Sequence, residues 1–333
     1  RRGRSGLEAQ YDHLLQGSTG RLVKQIDEVS RRYRILEDKS KDPLPGQTLH
    51  TTLDIQLQQK TEYALQNWFQ LATEMGLNTP LMEDGLNVGK GRAGMVVMDV
   101  ASGAILAMGS SPTYDLLEFN KNYDALQKDP NQPLLDNATL ANRHPGSVVK
   151  LIVATAGLQE KKITPQTTME CRGYMALDSR GNKILRDHAS GTLNVADSIA
   201  HSSNVFFATV GSKMNATELL RWYSRFGLGN KHAYNIPWQR PQTLPSPSNI
   251  KQLRPTEPHW NPYDTWSISI GQFIKVSPLE VVTIPAFVAN GGTIVRPHLV
   301  TPSEKLVYDH VDMQPSHLRA LRSGMERAVT EGT

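Results

Sequence analysis

The feature that most constrains the fold is an almost wholly apolar run that follows a Pro-Gly pair. The run extends from Ser147 to Leu158, and Lys150 is its only charged residue. The Pro-Gly pair breaks the preceding chain, and the composition of the run predicts a helix that is buried on all sides. Such a helix lies inside a domain, with its two polar groups at one end.

The spacing of Ser147 and Lys150 predicts that the two side chains share one face of this helix, so that the ammonium reaches the hydroxyl. A serine is a poor nucleophile until a neighbour takes its proton, and a desolvated lysine has the lowered pKa of a candidate base. The helix N-terminus also favours developing negative charge. The pair is therefore a candidate nucleophile and base.

A chance match is the alternative, because Ser-x-x-Lys is a short pattern of common residues. A second copy occurs at Ser248 and Lys251, inside a loop punctuated by prolines and without an apolar helix behind it. Its context excludes it, and Ser147 remains the candidate.

Composition is that of an ordinary globular protein. The chain has 333 residues, 38% of them hydrophobic and 20% charged, which is enough for one large core or two modest ones. The net charge of +4 is slight and the basic residues are interleaved with acids, so nucleic acid is not an expected partner.

Cys171 is the only cysteine, which excludes an intramolecular disulfide. No apolar run is long enough to span a bilayer. Neither end resembles a natural terminus, and we expect a fragment of a longer protein.

Local patterns predict an α/β domain. Residues 1–46 contain too few apolar residues for a core and are interpreted as the edge of a preceding domain or a linker; residues 47–333 form the main domain. Its predicted elements are a strand at 48–53, a helix at 54–69 with Asp54 as its cap, a Gly- and Asn-rich loop, strands at 93–100 and 104–109 joined by a turn, an irregular crossing at 113–145, helices at 193–200, 205–210 and 216–226, a proline-rich loop at 238–262 and a helix at 277–289. This order predicts an antiparallel sheet flanked by helices, with an all-helical lobe at about residues 150–262.

A second candidate site is Ser202-Ser203-Asn204, in a predicted turn between helices. A hydroxyl and an amide two residues apart can present a proton relay and a hydrogen-bond donor to one substrate. Helix capping is the alternative, because Ser and Asn are the residues that caps use.

Together, Ser147-x-x-Lys150 and Ser202-x-Asn204 resemble the first two active-site boxes of the penicillin-binding proteins and serine β-lactamases. The resemblance covers nearly the whole chain; its further matches are residues 6–12, 48–58, 95–108, 111–115, 269–272, 277–279 and 289–292. The chain is identified as similar to a class B penicillin-binding protein. Residues 122–134 and 171–174 favour the elongation type, whereas Ser202-Ser203-Asn204 followed by Val205 is a division-like detail.

The resemblance implies a penicillin-binding transpeptidase fold and a D,D-transpeptidase that acts on the D-Ala-D-Ala ends of peptidoglycan stem peptides. Ser147 is the implied nucleophile, Lys150 the base, Ser202 the proton relay and Asn204 the group that holds the substrate amide. Ser203, Gly271 and Gln272 are the implied substrate-binding residues. No cofactor is implied.

Beyond the site, the resemblance implies that β-lactams acylate the same serine. A membrane glycan polymerase of the wall-building complex is the implied partner. The implied location is the bacterial cell envelope, at the outer face of the cytoplasmic membrane.

One departure concerns the family's third box, Lys-Thr/Ser-Gly, which does not occur in this sequence. Arg4-Ser-Gly6 and Arg322-Ser-Gly324 imitate it weakly and lack its context. Residues 318–332 resemble the helix and turn that precede the box, so we expect it to follow Thr333 and expect these residues alone to be a poor catalyst. The open alternatives are a non-catalytic scaffold and a β-lactam sensor or β-lactamase.

Several potential zinc ligands flank the second box. They are Cys171, Asp187, His188 and His201. Their spacing follows no standard ligand pattern, so no metal site is predicted.

Overall fold

The computed structural model describes residues 2–27, 29–74, 92–236, 238–240, 242–302 and 306–332. The chain divides into two compact units, Arg1–Thr52 and Leu53–Thr333. The sequence places this boundary six residues earlier, after residue 46, because residues 48–53 are expected to begin the main domain as a strand. That strand does not form. The Gly- and Asn-rich loop predicted before residue 93 lies almost entirely outside the described residues.

The first unit is small and built from short elements. They are α1 (Gly6–Gln10), α2 (Asp12–Leu15), β1 (Lys24–Ile26), β2 (Tyr33–Ile35) and a 3₁₀ turn (Glu37–Lys39). β1 and β2 pair antiparallel, and none of their residues is buried. None of the described residues of this unit is buried.

The second unit contains antiparallel hairpins surrounded by helices, as predicted. Its elements are α3 (Ile55–Glu74), β3 (Ala93–Met98), β4 (Ile105–Ser111), α4 (Phe119–Lys128), a 3₁₀ turn (Gly146–Val149), α5 (Lys150–Gln159), β5 (Met169–Leu177), β6 (Lys183–Leu193), α6 (Val195–Ala200), α7 (Asn204–Met214), α8 (Ala216–Arg225), a 3₁₀ turn (Lys231–Ala233), α9 (Ile250–Leu253), α10 (Pro262–Ser269), α11 (Pro278–Val281), α12 (Thr283–Ala289), β7 (Thr293–Val295), β8 (Val307–His310) and α13 (Pro315–Thr330).

The predicted cap of α3 and the hairpin that follows it are confirmed. Asp54 Oδ1 accepts hydrogen bonds of 2.9 Å from the backbone N–H groups of Gln56 and Leu57. β3 and β4 pair antiparallel. The Gln58 side-chain amide then donates to the Met108 carbonyl oxygen and accepts from the Met108 N–H, at 2.8 and 2.9 Å. This pair of bonds fixes α3 against β4.

The lobe at residues 150–262 is not all-helical, because β5 and β6 form a long antiparallel hairpin within it. The register shifts between Arg172 and Tyr174, and Gly173 has a φ of +80°. An irregularity of this kind interrupts the alternation of apolar and polar residues by which a strand is recognised in sequence.

Two further differences concern helices. α4 lies in the predicted irregular crossing; its apolar residues Phe119, Tyr123 and Leu126 recur at i, i+4 and i+7, but none of its residues is buried. The helix predicted at 277–289 is divided into α11 and α12 around Val282. Pro285 has no N–H to donate to the carbonyl four residues earlier, which weakens a continuous helix there.

The core surrounds α5, as the sequence predicts. Residues 150–158 are all buried, and α5 contacts α7, α8 and α13. A lysine therefore begins an otherwise apolar helix in the centre of the unit, at the point where α5 approaches α7.

We predict that Gly211→Ala destabilises this core. A methyl group on Gly211 of α7 would lie 1.9 Å from Ser269 Oγ of α10, so the two helices must separate or the serine must change rotamer. Overpacking of this kind costs about 1 to 3 kcal/mol, to be measured by urea unfolding. Lys213→Ala, on the exposed side of the same helix, is the control and is expected to change stability by less than about 0.5 kcal/mol. Equal stability of the two variants would contradict the assigned contact.

Candidate active site

The first part of the site is the turn that leads into α5. Gly146 has a φ of +62°, and the chain then forms the 3₁₀ turn Gly146–Val149 before α5 begins at Lys150. Ser147 is exposed, whereas Lys150 is only 2% exposed. The turn thus presents the serine to solvent and directs the lysine into the protein.

A neighbouring segment holds this turn in place. The Gly146 N–H donates to the Gly271 carbonyl oxygen at 3.1 Å, and Arg143 and Val276 exchange two backbone hydrogen bonds of 3.0 and 2.9 Å. His144 Nδ1 lies 2.7 Å from the Ile274 carbonyl oxygen. Residues 271–276 therefore support the chain immediately before Ser147, although they are distant from it in sequence.

The second part of the site is the turn between α6 and α7. Ser202 has a φ of +52°, a conformation that is unfavourable for a residue with a side chain. Ser203 follows as the cap of α7, since its Oγ accepts from the Phe206 N–H at 3.2 Å. The capping role and the chemical role are thus divided between neighbours: Ser203 is the cap, and Ser202 and Asn204 face the first part of the site.

The two parts are joined by hydrogen bonds of the buried lysine. Lys150 Nζ donates to the Ser202 carbonyl oxygen at 2.6 Å, to Ser202 Oγ at 3.1 Å and to Asn204 Oδ1 at 2.8 Å. Ser202 Oγ lies 2.8 Å from Ser147 Oγ. The sequence predicts a lysine that reaches Ser147 directly; in the structure Ser202 Oγ connects them.

Burial lowers the pKa of Lys150 to about 8, because desolvation penalises the charged ammonium. The carboxylate of Asp187, on β6, acts in the opposite direction and raises that pKa. The ring of Phe207 lies 5.9 Å from Nζ and covers it on another side. The lysine is therefore a base that can be neutral near physiological pH.

The structure places the three predicted substrate-binding residues differently from one another. Gln272 is exposed near the turn Gly146–Val149, which carries the candidate nucleophile Ser147 and is called the nucleophile turn below, whereas Gly271 is buried against Gly146. Ser203 does not match its predicted role: its side chain is fully buried, 3.3 Å from Cys171 Sγ and 2.7 Å from Asp187 Oδ2. As the cap of α7 it faces the core rather than a substrate.

Asp187 lies next to the second turn, a position that the sequence does not predict. Its Oδ2 accepts from Ser203 Oγ and from the Val205 N–H, each at 2.7 Å. Across the parts of the chain that the structure describes, no three His, Cys, Asp or Glu side chains are gathered where they would hold a metal ion. No pattern in the sequence indicates that β6 brings Asp187 beneath the second turn.

None of the helices within the described ranges is both long and apolar enough to cross a membrane.

In this fold a serine, a buried lysine and a second serine form one hydrogen-bonded chain. The family model for the penicillin-binding protein transpeptidase domain matches residues 93–333. The chain belongs to this family.

Curated relatives include elongation-type class B proteins, as the sequence predicts. The chain is 31% identical over 308 residues to peptidoglycan D,D-transpeptidase MrdA of Escherichia coli, covering 90% of this chain and 44% of the relative. It is 30% identical over 318 residues to MrdA of Haemophilus influenzae, covering 92% and 44%. The chain thus spans less than half the length of these relatives.

Solved structures agree with this assignment. A peptidoglycan synthase complex that coordinates polymerization and crosslinking contains a chain with a TM-score of 0.81 and 28% identity, covering 99% of this chain and 57% of that chain. The complex between penicillin-binding protein PBP2 and MreC from Helicobacter pylori gives a TM-score of 0.77 and 26% identity, covering 98% and 57%.

We predict that Gly271→Ala disturbs the nucleophile turn and destabilises the protein. An added methyl group would lie 2.0 Å from the Gly146 carbonyl oxygen, and Gly271 has a φ of +75°. Gly181→Ala is a matched control, because Gly181 has a φ of +80° and no neighbour within 4 Å of the added carbon. Both variants carry a backbone cost of about 1 to 2 kcal/mol. Only Gly271→Ala adds the clash, so it should lose at least about 1 kcal/mol more in urea unfolding. Equal losses would show that the turn does not need close contact at Gly271.

Proposed function

We propose that this chain is the transpeptidase part of a peptidoglycan D,D-transpeptidase, and that it cross-links stem peptides through a serine acyl-enzyme. The observation that carries the proposal is the chain of hydrogen bonds from Lys150 through Ser202 Oγ to Ser147 Oγ. It supplies the exposed serine with a proton acceptor that is itself buried and has a lowered pKa. The names of the relatives and the family match support the same activity.

The partners of Lys150 Nζ favour one direction of proton transfer when the lysine is neutral. A neutral amine has two N–H groups and one lone pair. The Ser202 carbonyl oxygen can only accept, and Asn204 is oriented with Oδ1 toward the lysine because its Nδ2 donates to the Arg186 carbonyl oxygen at 2.9 Å. The two N–H groups therefore go to these acceptors, and the lone pair faces Ser202 Oγ, the only one of the three partners with a proton to give.

In the first half-reaction, Ser147 Oγ attacks the carbonyl carbon of the penultimate D-Ala, and a C–O bond forms. The serine proton passes to Ser202 Oγ, and the Ser202 proton passes to Lys150. The C–N bond to the terminal D-Ala then breaks, and the proton returns through Ser202 to the departing amine. In the second half-reaction an amine of a neighbouring stem peptide attacks the ester and gives up a proton toward Lys150 through Ser202. The new C–N bond forms, the C–O bond to Ser147 breaks, and the proton returns through Ser202 to Ser147 Oγ.

Substrate orientation is assigned to Asn204 and the nucleophile turn. One N–H of Asn204 Nδ2 bonds the Arg186 carbonyl oxygen, and the second N–H remains to hold the substrate amide. The Ser147 N–H, in the 3₁₀ turn before α5, supplies one donor to the oxyanion. Exposed Gln272 is proposed to line the substrate groove.

We assign the protein to the bacterial cell envelope, where its relatives synthesise peptidoglycan, and more narrowly to the outer face of the cytoplasmic membrane. A membrane glycan polymerase is the proposed partner, in keeping with the peptidoglycan synthase complex among the similar structures. β-Lactams are proposed to acylate Ser147. No comparison favours the scaffold, sensor or β-lactamase alternatives.

The first test is covalent labelling by a penicillin, read as intact mass of the gene product that carries these residues. We expect the parent to gain the mass of one penicillin and Ser147→Ala to gain none, because Ser147 is exposed and is connected to Lys150 through Ser202. Ser248→Ala, in the other Ser-x-x-Lys sequence, is the matched control and should label like the parent. Labelling that survives in Ser147→Ala would disprove the assignment of the nucleophile.

A second prediction concerns pH. Because the pKa of Lys150 is lowered to about 8, only roughly one tenth of the lysine is neutral at pH 7, and this fraction rises with pH. The acylation rate constant should therefore increase through pH 8 and level off above it. Lys150→Arg places a permanent cation at the same position and should abolish the rise and most of the activity. A parent rate that is flat between about pH 6 and pH 9 would exclude Lys150 as the base.

A further inference from the structure

We propose that Asp187 is a positioning residue for the acylation step. Its carboxylate fixes the turn that contains Ser202 and Asn204 to β6, and its negative charge acts on the Lys150 ammonium. The proposal rests on the proposed function, because it assigns Asp187 a task in that same reaction. It concerns a side chain that contacts neither the nucleophile nor the base.

The first support is the position of the hydrogen bonds of Asp187. Its Oδ2 accepts from Ser203 Oγ and from the Val205 N–H, each at 2.7 Å. Ser203 lies between the two chemical residues, and Val205 directly follows Asn204. One carboxylate oxygen therefore holds the chain both between and immediately after Ser202 and Asn204.

The second support is that the same stretch of β6 also fixes the Asn204 side chain. The Arg186 carbonyl oxygen accepts from Asn204 Nδ2 at 2.9 Å and so determines which end of that amide faces Lys150. Two consecutive residues of β6 thus set the backbone and the side-chain orientation of the second turn. Hydrogen bonds to a charged acceptor are among the stronger ones in proteins, which suits a turn whose first residue, Ser202, has a φ of +52°.

The third support is electrostatic. Among the described residues, the titratable groups that act on one another at the site are Lys150 on α5, Cys171 on β5 and Asp187 on β6. α7 contributes the ring of Phe207 and the side-chain amide of Asn204. Asp187 raises the pKa of Lys150 against the larger effect of burial. The same carboxylate that holds the turn therefore also sets the pH at which the base becomes active.

The test is the pH profile of the second-order acylation rate constant for a fluorescent penicillin in Asp187→Asn and Asp187→Glu. Asp187→Asn keeps the shape of the side chain and removes its charge. We expect its high-pH rate to fall by about ten- to hundredfold, the cost of weakening bonds to a charged acceptor. We also expect the pH of half-maximal rate to move down by at least about half a unit, because the carboxylate no longer stabilises the ammonium. A residue with only a structural task would lower the rate at every pH by one factor.

Asp187→Glu keeps the charge and displaces the oxygen, so its high-pH rate should fall while its half-maximal pH stays at the parent value. Asp178→Asn, at the turn of the same hairpin, removes one charge away from the site and should match the parent in both quantities. Circular dichroism and melting temperature show whether each variant is folded, and if Asp187→Asn does not fold, Asp187→Glu decides.

A high-pH rate within twofold of the parent in the folded variants, or an unmoved half-maximal pH in Asp187→Asn, would overturn the proposal. Loss of labelling in the parent itself would instead contradict the proposed function.

Discussion

The site depends on the burial of one amine. Lys150 begins a helix whose next eight residues are all buried, and an ammonium in such a place is unfavourable unless its N–H groups find acceptors. The acceptors come from a single turn, Ser202 to Asn204, in the form of one carbonyl, one hydroxyl and one amide oxygen. The requirement to satisfy the lysine therefore ties the start of α5 to the start of α7. The same bonds that make the lysine tolerable in the core bring Ser202 within 2.8 Å of Ser147.

The partial balance of burial and charge gives the lysine its chemical character. Complete desolvation without an acid nearby would leave a neutral amine at almost any physiological pH, whereas a directly paired carboxylate would keep it protonated. Asp187 has an intermediate effect, because it raises the pKa of Lys150 while its carboxylate oxygens accept hydrogen bonds from Ser203, Val205 and Ala189. A base with a pKa of about 8 can both take the serine proton and return it during one reaction cycle.

The parts of this arrangement that were predictable from sequence are those encoded in local pattern. The buried α5 follows from an apolar run, the cap of α3 from Asp54, and the first hairpin from alternating residues around a turn. The association of Ser147 and Lys150 with Ser202 and Asn204 came from their resemblance to a family rather than from spacing. The irregular β5–β6 hairpin and the contacts of Asp187 depend on residues that are distant in sequence and close in the fold. A local sequence pattern does not predict such contacts. The buried position of Ser203 was missed for the same reason.

Backbone conformation around the site shows how strongly the surrounding structure determines it. Gly146, Ser202, Gly271 and Phe273 all have φ between +52° and +75°. Two of the four are not glycine, so their conformations are costly and persist only where neighbouring contacts fix them. Those contacts are the Gly146 to Gly271 hydrogen bond on one side and the Lys150 and β6 bonds on the other. The turn at Gly146 is held by Gly271, and the turn at Ser202 is held by Lys150 and β6. A change in the conformation of either turn would break these hydrogen bonds. We infer that the geometry between Ser147 and Ser202 is set by the domain as a whole, which holds the two hydroxyls within hydrogen-bonding distance.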